Sequence, residues 1–303
     1  MKKPALFLLL LTYAFLLPAQ VDLSRWGVPP ADYSGITALG NGLYALVDDK
    51  QTGFALLSVA QDSLTGAVTD VVYGGFRDAG EESRDCEGIA FVPDWQTLFI
   101  SGERDQQILE YSLSGAPTGR RLSVPEGFSR ILPNYGFEAL AYDAVSGRFW
   151  ATTERPLRGD SLHLLVAFDR NLQPVDTLCY WPEPLSFSAT GGTVVSGISA
   201  LCAPGDGSLL VLEREANIPA GYLGARCRCR VFRYAGGKKT ELADITTRFT
   251  LFDHSFANYE GLCPGIRLSD GRPTYLLISD SQHGYGIGPF RLRDWLTVII
   301  PAR

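Results

Sequence analysis

Short apolar runs alternate along this chain with Gly, Pro, Asn and Asp, and one arrangement of runs returns five times. Each repeat opens with a small or acidic residue, then Gly or Ala, then Ile or Leu. About 15 to 20 residues later a β-prone run ends in an acidic residue. The openings are Ser34-Gly35-Ile36, Glu87-Gly88-Ile89, Glu138-Ala139-Leu140, Ser196-Gly197-Ile198 and Glu260-Gly261-Leu262. A period of roughly 50 to 65 residues built from short strands is typical of a β-propeller.

Each repeat is expected to form one blade of four strands. In the third repeat the strands are predicted at 139–142, 149–153, 164–168 and 175–180. The last repeat lacks a fourth strand after 290–300, and the segment 21–28 can supply it and close the ring. We therefore predict an all-β fold, a β-propeller of five four-stranded blades. Six blades are the alternative if an atypical blade lies in an insertion, and a β-sandwich is the alternative architecture.

The first 19 residues differ in character from the repeats. Lys2 and Lys3 give a positive start, residues 5–17 are apolar but too few to span a bilayer, and Ala19 precedes Gln20 as a small residue. This pattern predicts a secretory signal peptide over 1–19, with a buried N-terminal helix as the alternative, and one propeller domain over 20–303. We expect a periplasmic or extracellular protein without a membrane span.

The charge balance narrows the choice of partners. The chain has 27 Lys and Arg against 33 Asp and Glu, a net charge of −6, which becomes −8 when Lys2 and Lys3 leave with the signal peptide. Such a protein is not expected to bind nucleic acid or an anionic membrane, and it is suited to bind cations. We expect a monomer.

Six cysteines are an even number compatible with disulfides in an oxidising compartment. Cys227 and Cys229 are two positions apart on a predicted strand, so they share a face and are not expected to bond each other. No zinc site is expected, because zinc would need two close pairs of ligands and only this pair exists.

Two rows of polar residues should line one mouth of the propeller channel, because inner strands begin where their neighbours end. We name them the first and second rows. The first row is Ser34, Glu87, Glu138, Ser196 and Glu260. The second row is Asp48, Glu103, Glu154, Glu213 and Asp280. Directly after the second row stand Asp49, Arg104, Arg155, Arg214 and Ser281.

Eight carboxylates in one funnel would repel one another unless cations compensate them. Oxygen-rich clusters suit Ca²⁺, a hard cation, so Ca²⁺ is the expected cofactor. The predicted metal ligands are Asp48, Asp85, Glu103, Glu154, Glu213 and Asp280. Glu87, Glu138 and Glu260 are the predicted catalytic residues, as metal ligand or base, and Arg104, Arg155 and Arg214 are predicted to bind an anionic substrate. The alternative is that the acid–Arg pairs only link neighbouring blades.

A series of motifs resembles a known family. In order they are Asp85-Cys86-Glu87-Gly88-Ile89-Ala90, Asn134-Tyr135-Gly136-Phe137-Glu138-Ala139-Leu140, Ala151-Thr152-Thr153-Glu154-Arg155-Pro156-Leu157, Gly197-Ile198-Ser199-Ala200-Leu201, Leu210-Val211-Leu212-Glu213-Arg214, Asn258-Tyr259-Glu260-Gly261-Leu262 and 276–280. The series resembles the phytase-like family described as "esterase-like activity of phytase", over nearly the whole mature chain. The resemblance implies a β-propeller and suggests calcium-dependent hydrolysis of a small phosphoester. The chain departs from the family at Arg155, where Gly is usual.

Other signals lead to different chemistry. Gly159-Asp160-Ser161-Leu162 and Asp280-Ser281-Gln282-His283 together suggest a triad in which Ser161 attacks, His283 takes the proton and Asp280 orients it. That motif belongs to α/β enzymes, and no α/β pattern surrounds it here. His283 is also a candidate general acid or base by itself. Two further functions stay open: a calcium-stabilised propeller that binds a partner without catalysis, and a metal-dependent lactonase.

Overall fold

The computed structural model describes residues 20–187 and 191–302, so the predicted signal peptide lies outside the described residues. Within those two ranges the chain forms strands and two short 3₁₀ turns, with no α-helix. The strands are β1 (Gln20–Asp22), β2 (Tyr33–Gly40), β3 (Leu43–Asp48), β4 (Gln51–Gln61), β5 (Val68–Asp78), β6 (Cys86–Val92), β7 (Thr97–Gly102), β8 (Gln107–Ser112), β9 (Pro117–Arg121), β10 (Phe137–Asp143), β11 (Arg148–Thr153), β12 (His163–Phe168), β13 (Pro174–Tyr180), β14 (Thr193–Cys202), β15 (Leu209–Ile218), β16 (Arg226–Ala235), β17 (Lys238–Arg248), β18 (Asn258–Arg267), β19 (Pro273–Asp280), β20 (Gly286–Ile287), β21 (Phe290–Arg291) and β22 (Trp295–Ile299).

Five antiparallel four-stranded sheets form the blades, which confirms the predicted fold. Blades 1 to 4 are β2–β5, β6–β9, β10–β13 and β14–β17, each in chain order. Blade 5 has the order β18, β19, β22, β1, and β20 and β21 form a separate hairpin in its β19–β22 loop. The inner strands β2, β6, β10, β14 and β18 contact one another in a closed cycle. This cycle surrounds the central channel.

The N-terminal strand closes the ring, as predicted, but over fewer residues. Val21 pairs with Leu296 on β22, and the strand ends at Asp22. The Asp22 carboxylate then accepts a hydrogen bond from the backbone N–H of Ser24 at 3.0 Å and begins the 3₁₀ turn Leu23–Trp26. An aspartate in this position satisfies a backbone donor at the start of the turn, and this favours the turn over a longer strand.

The apolar core lies between the blades. Phe99 of blade 2 and Phe149 of blade 3 are both fully buried, with ring centroids 4.6 Å apart. Each blade presents one face to each neighbour, so the strands are apolar on both faces and the ring is held together by burial of these faces.

The inner strands come so close that the second motif position must be small. A Cβ atom on Gly35 would lie 2.3 Å from the carbonyl oxygen of Glu87 on the next blade. A Cβ atom on Gly261 would lie 2.9 Å from the backbone nitrogen of Ile36. The repeated Gly or Ala is therefore explained by the close approach of backbones around the axis.

All six cysteines are free thiols, and five of them are buried. The Cys227 and Cys229 sulfur atoms lie 3.6 Å apart. The disulfides that the even count allowed are thus not formed. No helical segment in the part of the chain that the structure describes is long and apolar enough to cross a membrane.

Candidate functional site

Every inner strand carries a β-bulge, and the bulges decide which residues reach the channel mouth. In blades 3 and 5 the register shifts around Glu138 and Glu260. In blade 4 it shifts around Ser199, three residues after the predicted Ser196. The narrow middle of the channel is accordingly lined by Ser199, Ala200 and Leu201 beside Glu138 and Glu260. Ser199 therefore takes the first-row position in blade 4.

The bulges also change the second row. In blades 1 and 4 the residue in the ring is one position later than predicted. In the pair next to the bulge, Phe137 is opposite Thr153 and Tyr259 is opposite Ser279, so Glu154 and Asp280 are the next residues along the second strand. In blades 1 and 4 the residue opposite at this point is Asp48 or Glu213, which places Asp49 and Arg214 in the second row. We call the following set the channel-mouth ring: Ser34, Glu87, Glu138, Ser199, Glu260, Asp49, Glu103, Glu154, Arg214 and Asp280.

Asp48 and Glu213, predicted as metal ligands, are instead bonded outside the ring. Asp48 is buried and accepts hydrogen bonds from the Lys50 backbone and the Gln51 side chain, both at 2.9 Å. Glu213 accepts the Tyr180 hydroxyl at 2.7 Å and lies 3.0 Å from the Lys239 ammonium, between blades 3 and 4. Side chains alternate across a strand, so a shift of one residue turns both away from their expected positions.

The three predicted catalytic glutamates do come together. Glu87 and Glu138 are 9% and 7% exposed, and the Glu260 side chain is 13% exposed. Burial raises the pKa of each well above its ordinary value, and repulsion from neighbouring carboxylates raises it further, while the Arg214 charge partly lowers the pKa of Glu138 and Glu260. For Glu87 the neighbours are Glu138, Glu260, Asp49 and Glu103. The carboxyl groups of Glu87 and Glu138 make no side-chain hydrogen bond among the described residues.

Arg214 is the one guanidinium that enters the ring in the described part of the chain. Its Nη2 donates to Glu154 at 2.6 Å, and its Nη1 donates to Glu260 and to Asn258, the latter at 3.3 Å. Burial opposes its charge, but Glu260 and Glu154 outweigh that effect and hold the pKa of Arg214 above its ordinary value. Asn258 also donates to Glu260 at 2.7 Å. Arg214 therefore ties blades 3, 4 and 5 together across the mouth.

The other two predicted substrate-binding arginines have different surroundings. The Arg104 side chain is 59% exposed, with Nε 3.3 Å from Asp85. Arg155 stacks over the Tyr135 ring at 5.2 Å, and its Nε is buried without a hydrogen-bond partner in the described structure. Asp85 is thus paired with Arg104 at the rim. Neither arginine is hydrogen-bonded to a ring glutamate within the described residues.

Glu103 and Glu154, both predicted metal ligands, lie in the ring, and the carboxylate of each already accepts a hydrogen bond. Glu103 accepts the Gly136 N–H at 2.9 Å, and burial raises its pKa. Glu154 holds Arg214, and its backbone carbonyl accepts the Ile198 N–H at 3.0 Å. The backbone bonds fix both residues at the junction of adjacent blades.

Two ring acids, Asp49 and Asp280, lie close to a further acid, Asp32, between blades 5 and 1. Burial raises the pKa of Asp49 to about 7 and that of Asp280 to about 6. The Lys50 ammonium lies 2.7 Å from Asp49 and 3.7 Å from Asp32. His283 Nδ1 lies 3.0 Å from Asp32, and the histidine pKa is raised by that carboxylate. The site thus includes a histidine–aspartate pair at its rim.

Sequence reasoning missed Asp32, although a signal was present. Asp32 stands two residues before Ser34, as Asp85 stands before Glu87 and Asn258 before Glu260. The Asp32 and Asp85 carbonyls accept backbone hydrogen bonds from Asp49 and Glu103, which are equivalent positions. The repeated offset would have identified Asp32.

The suggested Ser–His–Asp triad is not assembled. His283 is paired with Asp32, and Asp280 accepts the Gln282 N–H at 2.6 Å. Ser161 is exposed in the loop between β11 and β12 of blade 3, whereas the other two belong to blade 5. A nucleophile must lie within hydrogen-bond reach of its base, and these residues do not meet that condition.

The side-chain types in the ring suit a hard cation, but the ring is not a preformed metal site. Apart from Arg214, its side chains are carboxylates and hydroxyls, and the buried Glu87 and Glu138 carboxyl groups make no side-chain hydrogen bond among the described residues. In residues 20–187 and 191–302 no group of three or more His, Cys, Asp or Glu side chains is arranged to hold a metal ion. Ligands would have to converge on binding, mainly by rotation of glutamate side chains.

Comparison with known families agrees with the sequence motifs. Residues 30–283 match the phytase-like family described as "Esterase-like activity of phytase". The match covers most of the chain and includes the whole channel-mouth ring. The protein belongs to this phytase-like family, as predicted. No curated protein matches the chain.

Several solved structures are similar to the chain at low sequence identity. The PQQ-bound aldose sugar dehydrogenase of Streptomyces coelicolor is 12% identical, with a TM-score of 0.49 and coverage of 93% of this chain and 98% of that chain. A protein of unknown function from Bacteroides thetaiotaomicron is 15% identical, with a TM-score of 0.43 and coverage of 93% and 72%. Hydrazine synthase of Kuenenia stuttgartiensis is 10% identical, with a TM-score of 0.42 and coverage of 90% and 64%. At these identities the chemistry of the three proteins does not transfer to this chain.

Proposed function

We propose that this protein is an exported, calcium-dependent hydrolase of a small phosphoester or related anionic ester, acting at the channel mouth. The observation that carries the proposal is the convergence of Glu87, Glu138 and Glu260, three buried carboxyl groups with raised pKa values, on one opening of the propeller. Membership of the phytase-like family supports the reaction class. Glu260 is paired with Arg214, but the Glu87 and Glu138 carboxyl groups make no side-chain hydrogen bond among the described residues, and buried acids without such a bond favour a functional site.

With Glu87 and Glu138 as the ligands that would hold Ca²⁺, Glu260 and its neighbour Glu154 are left for two complementary roles in proton transfer. A carboxyl group that remains protonated near neutral pH can donate its proton to the leaving alcohol oxygen as the ester bond breaks. An ionised neighbour can take a proton from the attacking water, whose oxygen forms the new bond to phosphorus. The products are the alcohol and a phosphate with one added oxygen. Arg214 orients Glu260 and Glu154 for these roles.

Ca²⁺ would be held by Glu87 and Glu138, with Glu103 and Asp49 nearby, and it would neutralise the ring and polarise a phosphoryl oxygen. Without it, the ring is too acidic to attract an anion, since Arg214 is already paired with two carboxylates. Calcium binding and anion binding should therefore be coupled.

The first test is thermal unfolding of the chelated mature protein with Ca²⁺, Mg²⁺, Mn²⁺ and phosphate added singly and together. A ligand that binds only the folded state raises its stability in proportion to the logarithm of its concentration. We expect a rise with Ca²⁺ that Glu138→Gln abolishes and that phosphate enlarges. Turnover of phosphoesters, but not of sugar lactones, should then appear with Ca²⁺ and fail in Glu138→Gln. Turnover of lactones alone would favour the lactonase.

A non-catalytic role is the second candidate, favoured by the ion pairs that Arg214 makes with Glu154 and Glu260. In that case the ring would link blades, and a partner would bind elsewhere. No thermal response to any metal or anion, with full stability in Glu87→Gln, would support this role and reject the hydrolase.

A further inference from the structure

An apolar cavity of 660 Å³ lies beside the acidic ring. Three loops build it: 219–225 between β15 and β16, 249–257 between β17 and β18, and 281–294 between β19 and β22. Its lining residues are Gly221, Tyr222, Leu223, Phe249, Leu251, Tyr285, Gly286, Ile287, Phe290 and Leu292. None of them carries a charge. The volume is that of a small-molecule site, and such sites are mostly apolar.

The cavity wall exposes large apolar side chains to solvent. Ile287 is 83% exposed, Leu251 59% and Leu223 51%. Isolated exposed apolar residues are ordinary, but a concave group of them identifies a binding surface. Burial of this surface by an apolar ligand would be favourable.

The loops that form the cavity are fixed by backbone hydrogen bonds. Gly224 donates to Phe249 at 2.7 Å, and Phe249 donates to Ala225 at 2.9 Å. In the hairpin, Leu292 donates to Tyr285 at 2.8 Å. Gly286 has φ +107°, and a Cβ atom there would lie 2.1 Å from the Phe290 carbonyl oxygen. The hairpin shape therefore depends on this glycine, and backbone hydrogen bonds hold the loops that form the cavity.

The cavity and the ring share one loop, the segment that follows β19. The hairpin loop begins at Ser281, directly after the ring residue Asp280, and the Tyr285 N–H donates to the Ser281 carbonyl at 3.0 Å. Tyr222 lies with its ring centroid 5.3 Å from that of Tyr285. Burial raises the pKa of Tyr222, and the negative charge of Asp280 raises it further. The Tyr222 hydroxyl is therefore close enough to the channel-mouth ring to be influenced by its charge.

We propose that this cavity binds the apolar group of the substrate, an aryl or branched alkyl group, while the ester lies at the ring between Glu260, Asp280 and His283. The proposal rests on the proposed function and specifies its substrate class. The substrate is thus an amphiphilic ester, with its apolar side in the cavity and its anionic end at the ring.

The test is calorimetric binding, in the presence of Ca²⁺, of phenylphosphonate, methylphosphonate and neutral benzyl alcohol. We expect phenylphosphonate to bind at least about tenfold more tightly than methylphosphonate, about 1.4 kcal/mol. Leu251→Ser and Ile287→Ser should reduce this preference to about threefold or less, because they remove apolar wall without touching the ring. Leu64→Ser, at an equally exposed leucine (71%) outside the cavity, is the matched control and should preserve the preference.

Each other outcome has a distinct meaning. Equal binding of the two phosphonates leaves the phosphoester site in place and overturns the cavity proposal. Binding of benzyl alcohol alone, lost in Ile287→Ser, supports the cavity and rejects the phosphoester function. Absence of binding by all three ligands overturns both. A last outcome is that the two phosphonates bind equally and that the protein binds phosphatidylcholine vesicles unless Ile287 is replaced by Ser. The cavity wall would then be a lipid-contact surface, and the proposal would be rejected.

Discussion

At the scale of single residues, glycine and arginine control the mouth of the propeller. Gly35 and Gly261 stand where neighbouring inner strands nearly touch, and Arg214 stands where three blades meet. Neither feature depends on local secondary structure. Both result from the closing of five sheets around one axis, which brings residues far apart in sequence into contact.

Gly35→Ala should destabilise the protein by about 1–3 kcal/mol, because the added Cβ has no room beside the Glu87 carbonyl. The free energy of unfolding in urea measures the effect. Gly127→Ala is the control, since its Cβ would have no heavy atom within 4 Å. Equal stability of the two variants would show that the inner strands can move apart.

Arg214→Met should lower the free energy of unfolding by about 3–5 kcal/mol at neutral pH, because Glu154 and Glu260 would remain buried without their cation. Arg104→Met removes a pair at the exposed rim and should cost less than about 1 kcal/mol. Urea unfolding of both variants gives the comparison. A small effect at Arg214 would mean that water or a bound cation compensates the two glutamates.

At the scale of elements, bulges and ring closure determine the site. The β-bulge of β14 puts Ser199 and Arg214, rather than Ser196 and Glu213, in the ring. The spacing of a repeated motif does not show where an extra residue is inserted, and that insertion decides which side chains face the channel. The three-residue strand β1 then completes blade 5.

Removal of residues 1–22 should open the ring and leave β22 as an exposed edge. The loss includes the pairing of Val21 with Leu296 and the Gln20 side-chain bonds to Ser255 and Tyr259, both at 3.0 Å. We expect a lower unfolding temperature and aggregation, because an unpaired edge can pair with another molecule. Scanning calorimetry with light scattering tests this, and removal of residues 301–303 is the control. Unchanged unfolding would show that β1 is dispensable for closure.

At the scale of the whole molecule, buried acids make stability depend on pH. Burial raises the pKa of the ring residues Asp49 and Asp280 to about 7 and about 6. Burial also raises to about 8 the pKa of Asp294, which directly precedes β22 and accepts the Ala31 N–H at 3.4 Å. A carboxyl group whose pKa is higher in the folded state binds more protons there than in the unfolded chain. Its contribution to stability is therefore complete below its unfolded pKa of about 3.9 and is lost as the pH rises through its folded pKa.

The calcium-free protein should accordingly be more stable at pH 5 than at pH 8, by urea unfolding in the presence of a chelator. Asp294→Asn should flatten this dependence, because the amide does not titrate. Glu126→Gln, at an exposed residue, is the control and should leave the dependence unchanged. Greater stability at pH 8 than at pH 5 would contradict the raised pKa values.

The sequence by itself determined the all-β propeller, the five blades and the glutamates Glu87, Glu138 and Glu260, because strand periodicity and the Gly or Ala motif are local and repeat with each blade. The tertiary structure alone decided that Arg214 bridges Glu154 and Glu260, that Asp32 pairs with His283, and that the apolar cavity adjoins the ring. These contacts join different blades, and their geometry follows from bulge positions and ring closure, which local patterns do not encode.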